Sequence, residues 1–177
     1  FPRTRSAAIG TTTSHTTNSY ATGNVTGATG VGGLLGTNTG NVTNNYASGT
    51  VAGNVSVGGL IGTTPAPSLT AGILTNNFWD SGNKDHAIGD STTPSGTLGI
   101  TKEQLIGSGF PTITEASGSG SIWDFDSTWL LVDGISPMLR STLPTLVVTA
   151  NVQTNIYSGE AYTVANSDLQ YSVALNS

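Results

Sequence analysis

The sequence predicts an all-β chain: a parallel β-solenoid (β-helix) of about three coils, a capping region containing one short helix, and a small β-rich C-terminal segment. Three observations predict it. The first is a passage written twice. Thr17-Asn18-Ser19-Tyr20-Ala21-Thr22-Gly23-Asn24-Val25, followed by Val31-Gly32-Gly33-Leu34-Leu35-Gly36, returns as Thr43-Asn44-Asn45-Tyr46-Ala47-Ser48-Gly49-Thr50-Val51, followed by Val57-Gly58-Gly59-Leu60-Ile61-Gly62. Tyr20 to Tyr46 and Gly36 to Gly62 are both 26 positions, so the register holds without insertion. A third, altered copy opens at Thr75-Asn76-Asn77-Phe78-Trp79, 32 positions after Thr43. The second observation is that the apolar runs are short. None approaches the roughly 10–12 residues of a helix, and Gly, Asn and Thr cut them with turn chemistry. The third is composition. Only 8% of residues are charged while 36% are hydrophobic, which suits a sheet surface covered by Thr, Ser and Asn rather than a solvated disordered chain.

A constant period between about 20 and 50 residues marks a repeat architecture. Each copy reads as about three short strands joined by tight turns, one coil of a solenoid whose coils stack about 4.8 Å apart. Tyr20, Tyr46 and Phe78 then form an aromatic column, Leu34 and Leu60 an aliphatic one, and Asn18, Asn44 and Asn76 an amide ladder at a turn. The alternative is an antiparallel sandwich of hairpins, which does not need identical spacing. The domain reading is residues 1–86 as solenoid repeats, 87–143 as loop, short helix and Trp-rich capping region, and 144–177 as a β-rich segment.

Taken in order, residues 1–15 hold Arg3, Arg5 and Thr11-Thr12-Thr13-Ser14-His15, part of a preceding coil. Phe1-Pro2-Arg3 has no start Met or signal-peptide pattern, which fits a processed piece or fragment of something longer. The six extra residues of the third copy fall around Thr63-Thr64-Pro65-Ala66-Pro67-Ser68, a loop. Trp79-Asp80-Ser81-Gly82-Asn83-Lys84-Asp85-His86 faintly resembles a calcium loop through Asp80, Asn83 and Asp85, although such clusters are more often plain turns. Residues 87–100 read as a loop. Thr101-Lys102-Glu103-Gln104-Leu105-Ile106 is a helix start with Thr101 as cap and Gln104 completing a capping box, ended by Gly107 or Gly109. Ser117-Gly118-Ser119-Gly120-Ser121 is a loop tip. Trp123, Phe125 and Trp129 are either a carbohydrate-stacking platform or, the preferred reading, a lid that plugs the open end of the solenoid core. Asp133-Gly134 is a turn, and Ile135 to Arg140 close the unit. Pro144 marks a boundary. Leu146–Thr149, Tyr162–Val164 and Tyr171–Leu175 read as strands, with Tyr157-Ser158-Gly159-Glu160 as a turn.

The run from Gly33 to Gly49, Gly-Leu-Leu-Gly-Thr-Asn-Thr-Gly-Asn-Val-Thr-Asn-Asn-Tyr-Ala-Ser-Gly, resembles the GLUG repeat of large bacterial secreted and surface proteins, filamentous-haemagglutinin-like adhesins among them. The likeness continues through Asn77-Phe78-Trp79-Asp80, Thr101 to Leu105, Trp123-Asp124-Phe125, Trp129 and Gly134-Ile135-Ser136-Pro137-Met138-Leu139, and covers residues 16–140. Val148-Thr149-Ala150-Asn151 with Tyr157-Ser158-Gly159 is similar to the start of a bacterial Ig-like module. The resemblance implies an extracellular, cell-surface rod, stalk or adhesive segment. Host-cell or matrix glycans or proteins, or neighbouring segments of the same protein, would be its partners. It supplies no catalytic residues and no cofactor.

The residues themselves argue against catalysis. From Ser6 to Trp79 there is no Asp, Glu, Lys or Arg, whereas polysaccharide chemistry needs carboxylates or a cation with a base. An enzyme would have to use Asp80, Asp85, Asp124 or Asp126. Asp124 and Asp126 share a face if that stretch is a strand, but no basic residue accompanies them. The expectation is therefore no catalytic residue, no cofactor and no metal. A net charge of −5 argues against nucleic acid and anionic membranes, and no apolar run of about 18 residues is present to insert in a membrane. The absence of Cys excludes disulfides and Cys-ligated zinc. Thr11, Thr12, Thr13, Thr16 and Thr17 raise ice- or mineral-surface binding, but these threonines are not expected to recur at one register. Asn24-Val25-Thr26, Asn41-Val42-Thr43 and Asn54-Val55-Ser56 match the glycosylation tripeptide and read as turn grammar. Open strand edges at the ends of a solenoid predict end-to-end self-association.

Overall fold

The computed structural model describes residues 9–65, 72–90, 95–106, 110, 123–150, 159 and 169–174. After β1 (Ile9–Thr12) come β2 (Thr16–Thr17), β3 (Tyr20–Ala21), β4 (Val25–Thr26), β5 (Thr29–Gly32) and β6 (Leu35–Asn38). The same series repeats as β7 (Val42–Thr43), β8 (Tyr46–Ala47), β9 (Val51–Ala52), β10 (Val55–Gly58) and β11 (Ile61–Thr63). A third passage supplies β12 (Leu74–Thr75) and β13 (Asn77–Asp80), and β14 (Thr97–Ile100) follows. Each repeat contributes one row of short strands, and every pairing between rows is parallel. Tyr20 pairs with Tyr46, Tyr46 with Phe78, and Phe78 with Leu98. Ile9, Leu35 and Ile61 stand in register, as do Val25 with Val51 and Val31 with Val57. The offset is 26 at Ile61 on Leu35 and 32 at Leu74 on Val42, so the added residues lie between Thr63 and Leu74, where a loop was expected. Among the described residues five of the seven sheets are built only of parallel pairs, and the described chain is mostly β.

Three expectations need correction. A full repeat holds five short strands rather than about three, because Gly and Asn cut the chain so often that several strands are only two residues long. Thr97–Ile100 was expected to be loop but is a strand on the edge of β13. Ile88 also bridges to Ile61, so parallel pairing runs on past residue 86. And threonines do recur at one register: Thr11, Thr37 and Thr63 form one column, and Thr17, Thr43 and Thr75 another.

The sheet through β3, β8 and β13 is buried on both faces. Strand alternation sends Ala21, Ala47 and Trp79 to one side and Tyr20, Tyr46 and Phe78 to the other. The first group joins Leu34, Leu35, Val42, Leu60, Ile61 and Ile88 in an inner core. The second joins Ile100, Leu105, Phe110, Trp123 and Trp129 in a separate aromatic core. Leu34 and Leu60 are linked by the Leu34 N–H donating to the Leu60 carbonyl at 2.9 Å. The inner core is thin where β10 turns into β11. A methyl group on Gly58 would lie 2.0 Å from the Ile61 carbonyl oxygen, and one on Gly59 would lie 2.2 Å from Trp79 Cδ1. The Gly-Gly pair is therefore a steric requirement: Gly58 packs on backbone and Gly59 on the Trp79 side chain.

The turn before β3, β8 and β13 is made by Asn18, Asn44 and Asn76, with φ of 46°, 57° and 52°. Asn tolerates this left-handed region better than other side chains. Asn76 Nδ2 donates to Asn44 Oδ1 at 3.2 Å, but the buried amide ladder is one position further on. Ser19 N–H donates to Asn45 Oδ1 at 2.8 Å, Asn45 Nδ2 to Asn77 Oδ1 at 3.0 Å, and Asn77 Nδ2 to the Val42 carbonyl at 2.7 Å. Asn45 and Asn77 are both 0% exposed.

After β14 comes α1 (Lys102–Ile106), opened by the expected capping box: Thr101 N–H donates to Gln104 Oε1 at 2.8 Å and Gln104 N–H to Thr101 Oγ1 at 3.3 Å. β15 (Trp129–Val132) and β16 (Ile135–Leu139) form an antiparallel hairpin about Asp133-Gly134, with Gly134 at φ 78°. One compact unit spans Phe1–Leu139 and a second Arg140–Ser177. The second opens with a 3-10 turn, Arg140–Thr142, and pairs β17 (Thr145–Ala150) antiparallel with β18 (Leu169–Ala174). Arg3, Arg5, the helix stop at Gly107 or Gly109, the Ser117–Ser121 tip, the strand at 162–164 and all of the 157–160 turn but Gly159 lie outside the described residues. Among the described residues no helix is long and apolar enough to cross a membrane.

Candidate functional site

Trp123 and Trp129 are stacked at 4.4 Å with 23° between their planes, and are 1% and 0% exposed. Trp129 Nε1 donates to Asn18 Oδ1 at 3.3 Å and Trp123 Nε1 to the Asn76 carbonyl at 2.9 Å. Tyr46, stacked on Tyr20 at 5.3 Å, donates its hydroxyl to the Pro137 carbonyl of β16 at 2.7 Å. Burial pushes the Tyr46 phenol above its usual value, and the neighbouring Tyr20 adds to the shift. Phe125 is only half-buried, edge-on to Phe110. Two readings of this segment are corrected. The tryptophans have no free face to offer a sugar, so Trp123, Phe125 and Trp129 are not a platform. Nor do they plug the end of the inner core. They cover the face of the β3–β8–β13 sheet that carries the Tyr20–Tyr46–Phe78 column, which has to be shielded from water. Phe110, 0% exposed in this cover, went unnoticed in the sequence, since it stands alone between Gly and Pro.

Asp80 and Asp124 close turns. Asp80 Oδ1 accepts the Gly82 N–H at 2.9 Å and Oδ2 accepts Asn83 Nδ2 at 2.7 Å. The structure thus brings Asn83 to Asp80 as a donor to it, with both Asp80 oxygens engaged, while Asp85 is exposed. Among the described residues no three His, Cys, Asp or Glu side chains gather as a metal site would require. Asp124 and Asp126 do not share a strand face: residues 125–128 are a turn. Asp124 Oδ1 accepts the N–H groups of Asp126 at 3.0 Å and Ser127 at 2.9 Å, and Oδ2 accepts the hydroxyls of Ser127 and Thr128. The hydrogen bonds from Ser127 are the main cause that holds this carboxyl down at about 2. A carboxyl ionised at every ordinary pH cannot serve as a general acid and is a poor base.

One further feature is an open groove of about 530 Å³ beside β5 and β6. Thr11, Thr26, Thr29, Thr37, Ser56 and Thr63 give it a hydroxyl lining, together with Val25, Val31 and glycines. Among the described residues no ionisable side chain lines it, although the lining Thr63 donates its hydroxyl to Asp90. Such a surface can hydrogen-bond a neutral polar partner. Comparison with family models, with curated proteins and with solved structures yields no match. The likeness to GLUG repeats rests on the residues quoted for it.

Proposed function

We propose that this chain is a non-enzymatic structural or adhesive segment of an extracellular bacterial surface or secreted protein, acting as rod, stalk or binding surface. In this reading the rows close into coils of a β-solenoid of about three coils, with the aromatic cover along one side. The observation that carries it is the single column Tyr20–Tyr46–Phe78–Leu98, held in parallel register across four strands. Stacking of this kind gives length and stiffness from nearest-neighbour contacts. The turn-closing roles of Asp80 and Asp124 support the absence of catalysis. A second reading, a polysaccharide-binding β-helix, is favoured by the hydroxyl-lined groove. Binding of labelled chain to immobilised matrix proteins and neutral glycans, run beside a reducing-end release assay, tests both. Saturable binding without new reducing ends is expected, and weaker binding after Thr37→Val would assign it to the groove. Polysaccharide turnover that disappears in Asp124→Asn would overturn the non-enzymatic reading.

A further inference from the structure

Each of the first two rows takes 14 positions to pass from its inner-core alanine to the aliphatic residue that follows, Ala21 to Leu35 and Ala47 to Ile61. The third row covers the same path in nine, from Trp79, paired with Ala47, to Ile88, paired with Ile61. The strands it drops are the counterparts of β9 and β10. The strands β4, β5, β9 and β10 therefore form a lobe two rows high, in which β9 pairs only with β4 and β10 only with β5 among the described residues. Beside the lobe, β13 stands on β8 and β14 on β13. This leaves a notch two strand spacings deep, or about 10 Å.

In the first row Val25 N–H donates to the Thr50 carbonyl at 2.8 Å and Gly27 N–H to the Ala52 carbonyl at 3.1 Å. The donors at the same register one row on are Val51 N–H and Gly53 N–H. They face the notch, where no strand is paired to β9 among the described residues. Ala52, Gly53, Asn54 and Val55 at the tip of the lobe are exposed. From Ala47 to Gly59 there is no Lys, Arg, Asp, Glu or Pro, the residues that ordinarily keep an edge strand from pairing.

We propose that this edge is the contact for a second copy of the chain, joined antiparallel, β9 on β9, about a twofold axis at Ala52. The partner is another copy because its lobe, two rows high, matches a notch two rows deep and carries the same uncharged edge. In-line continuation in the register of β4 and β9 is blocked. It would set the second copy's β2 and β3 where β12 and β13 already stand on β7 and β8. A copy turned end for end lays its lobe in the notch and carries its own β12, β13 and β14 to the opposite side. The contact is then isologous and closes at the dimer. The Ala52 carbonyl is turned to the first row, so across the axis Ala52 falls at a non-hydrogen-bonded position, where facing Cα atoms lie about 4.5 Å apart. The pairing does not rest on the adhesive reading of the chain.

The test uses the whole 177-residue chain, which has no cysteine of its own. Sedimentation over a concentration series is expected to show monomer and dimer and nothing larger. Three single-cysteine variants are then oxidised: Ala52→Cys, Thr26→Cys at the equivalent position of the first row, and Ile73→Cys at an exposed position outside the lobe. Ala52→Cys is expected to cross-link at least about tenfold faster than the others, because the twofold contact raises the local thiol concentration at a separation a disulfide accepts. Ala52→Lys sets two like charges across the axis and is expected to weaken the dimer about tenfold or more while the chain stays folded by circular dichroism. A monomer at every concentration overturns the proposal. So do growth beyond the dimer, equal cross-linking of the three cysteine variants, and undiminished dimerisation of a folded Ala52→Lys chain.

Discussion

Asn45 lies between Ser19 and Asn77 with its amide oxygen on one neighbour and its amide nitrogen on the other. Removing it strands the Ser19 N–H and leaves Asn77 Oδ1 short of a donor. Asn45→Ala should cost about 1–3 kcal/mol for each group left unpaired, read by urea unfolding. Asn45→Asp should be worse, since it sets a carboxylate against Asn77 Oδ1. A neutral effect of either change would show that the ladder does not hold the rows. Asp124 offers a different measurement. Its carboxyl sits at about 2 in the folded chain, below the roughly 3.9 of an unfolded Asp. Its stabilisation is therefore complete above the unfolded value and is lost as pH falls through about 2. The group is exposed, so the contribution is screened and modest. Asp124→Asn should flatten the acid side of a melting-temperature profile taken below pH about 4; an unchanged profile would mean the turn does not depend on the charge.

Among the elements, the cover is the one whose loss should be felt most. Trp129→Ala or Trp123→Ala should cost roughly 3–5 kcal/mol, measured by denaturant unfolding. A loss below about 1 kcal/mol would place the ring at the surface after all. How legible the elements were follows from their physics. The 26-residue register could be read because stacking demands identical spacing, and the capping box because Thr101 and Gln104 are a local signal. The side on which the cover lies could not be read: Tyr-Ala looks the same whether the tyrosine faces in or out, and only the partner surface decides. β14 was hidden because Thr-Leu-Gly-Ile is four residues long and has its partner some 20 positions back. The Thr11–Thr37–Thr63 column was masked by the threonines crowding around its first member. At the candidate site, the acids were visible but their hydrogen-bonding to neighbouring backbone was not, because an Asp in a turn and an Asp in a cleft have the same spelling.

For the whole molecule, rows that contact only their neighbours should tolerate one more of their kind. A copy of residues 17–42 inserted after Val42 keeps every junction, since Thr17 and Thr43 are equivalent in register. Combined with Tyr20→Thr in the original first row, this longer chain should remain cooperatively folded by circular dichroism and thermal melting. A copy cut short by three residues should not, because it sends every following side chain to a wrong position. Equal behaviour of the two insertions would sink the stacked-row reading. The Tyr20→Thr change is needed for a reason that lies in the cover. Trp129 is tied to the row of Asn18 and Trp123 to the row of Asn76, two strand spacings apart, or about 10 Å. The cover is thus a gauge with a fixed span. It sets how many rows carry an aromatic ring on that face, and a row added before the row of Asn18 must present a polar side chain there instead. An array built on this plan can be lengthened freely at one end, while at the other its composition is counted out in rings.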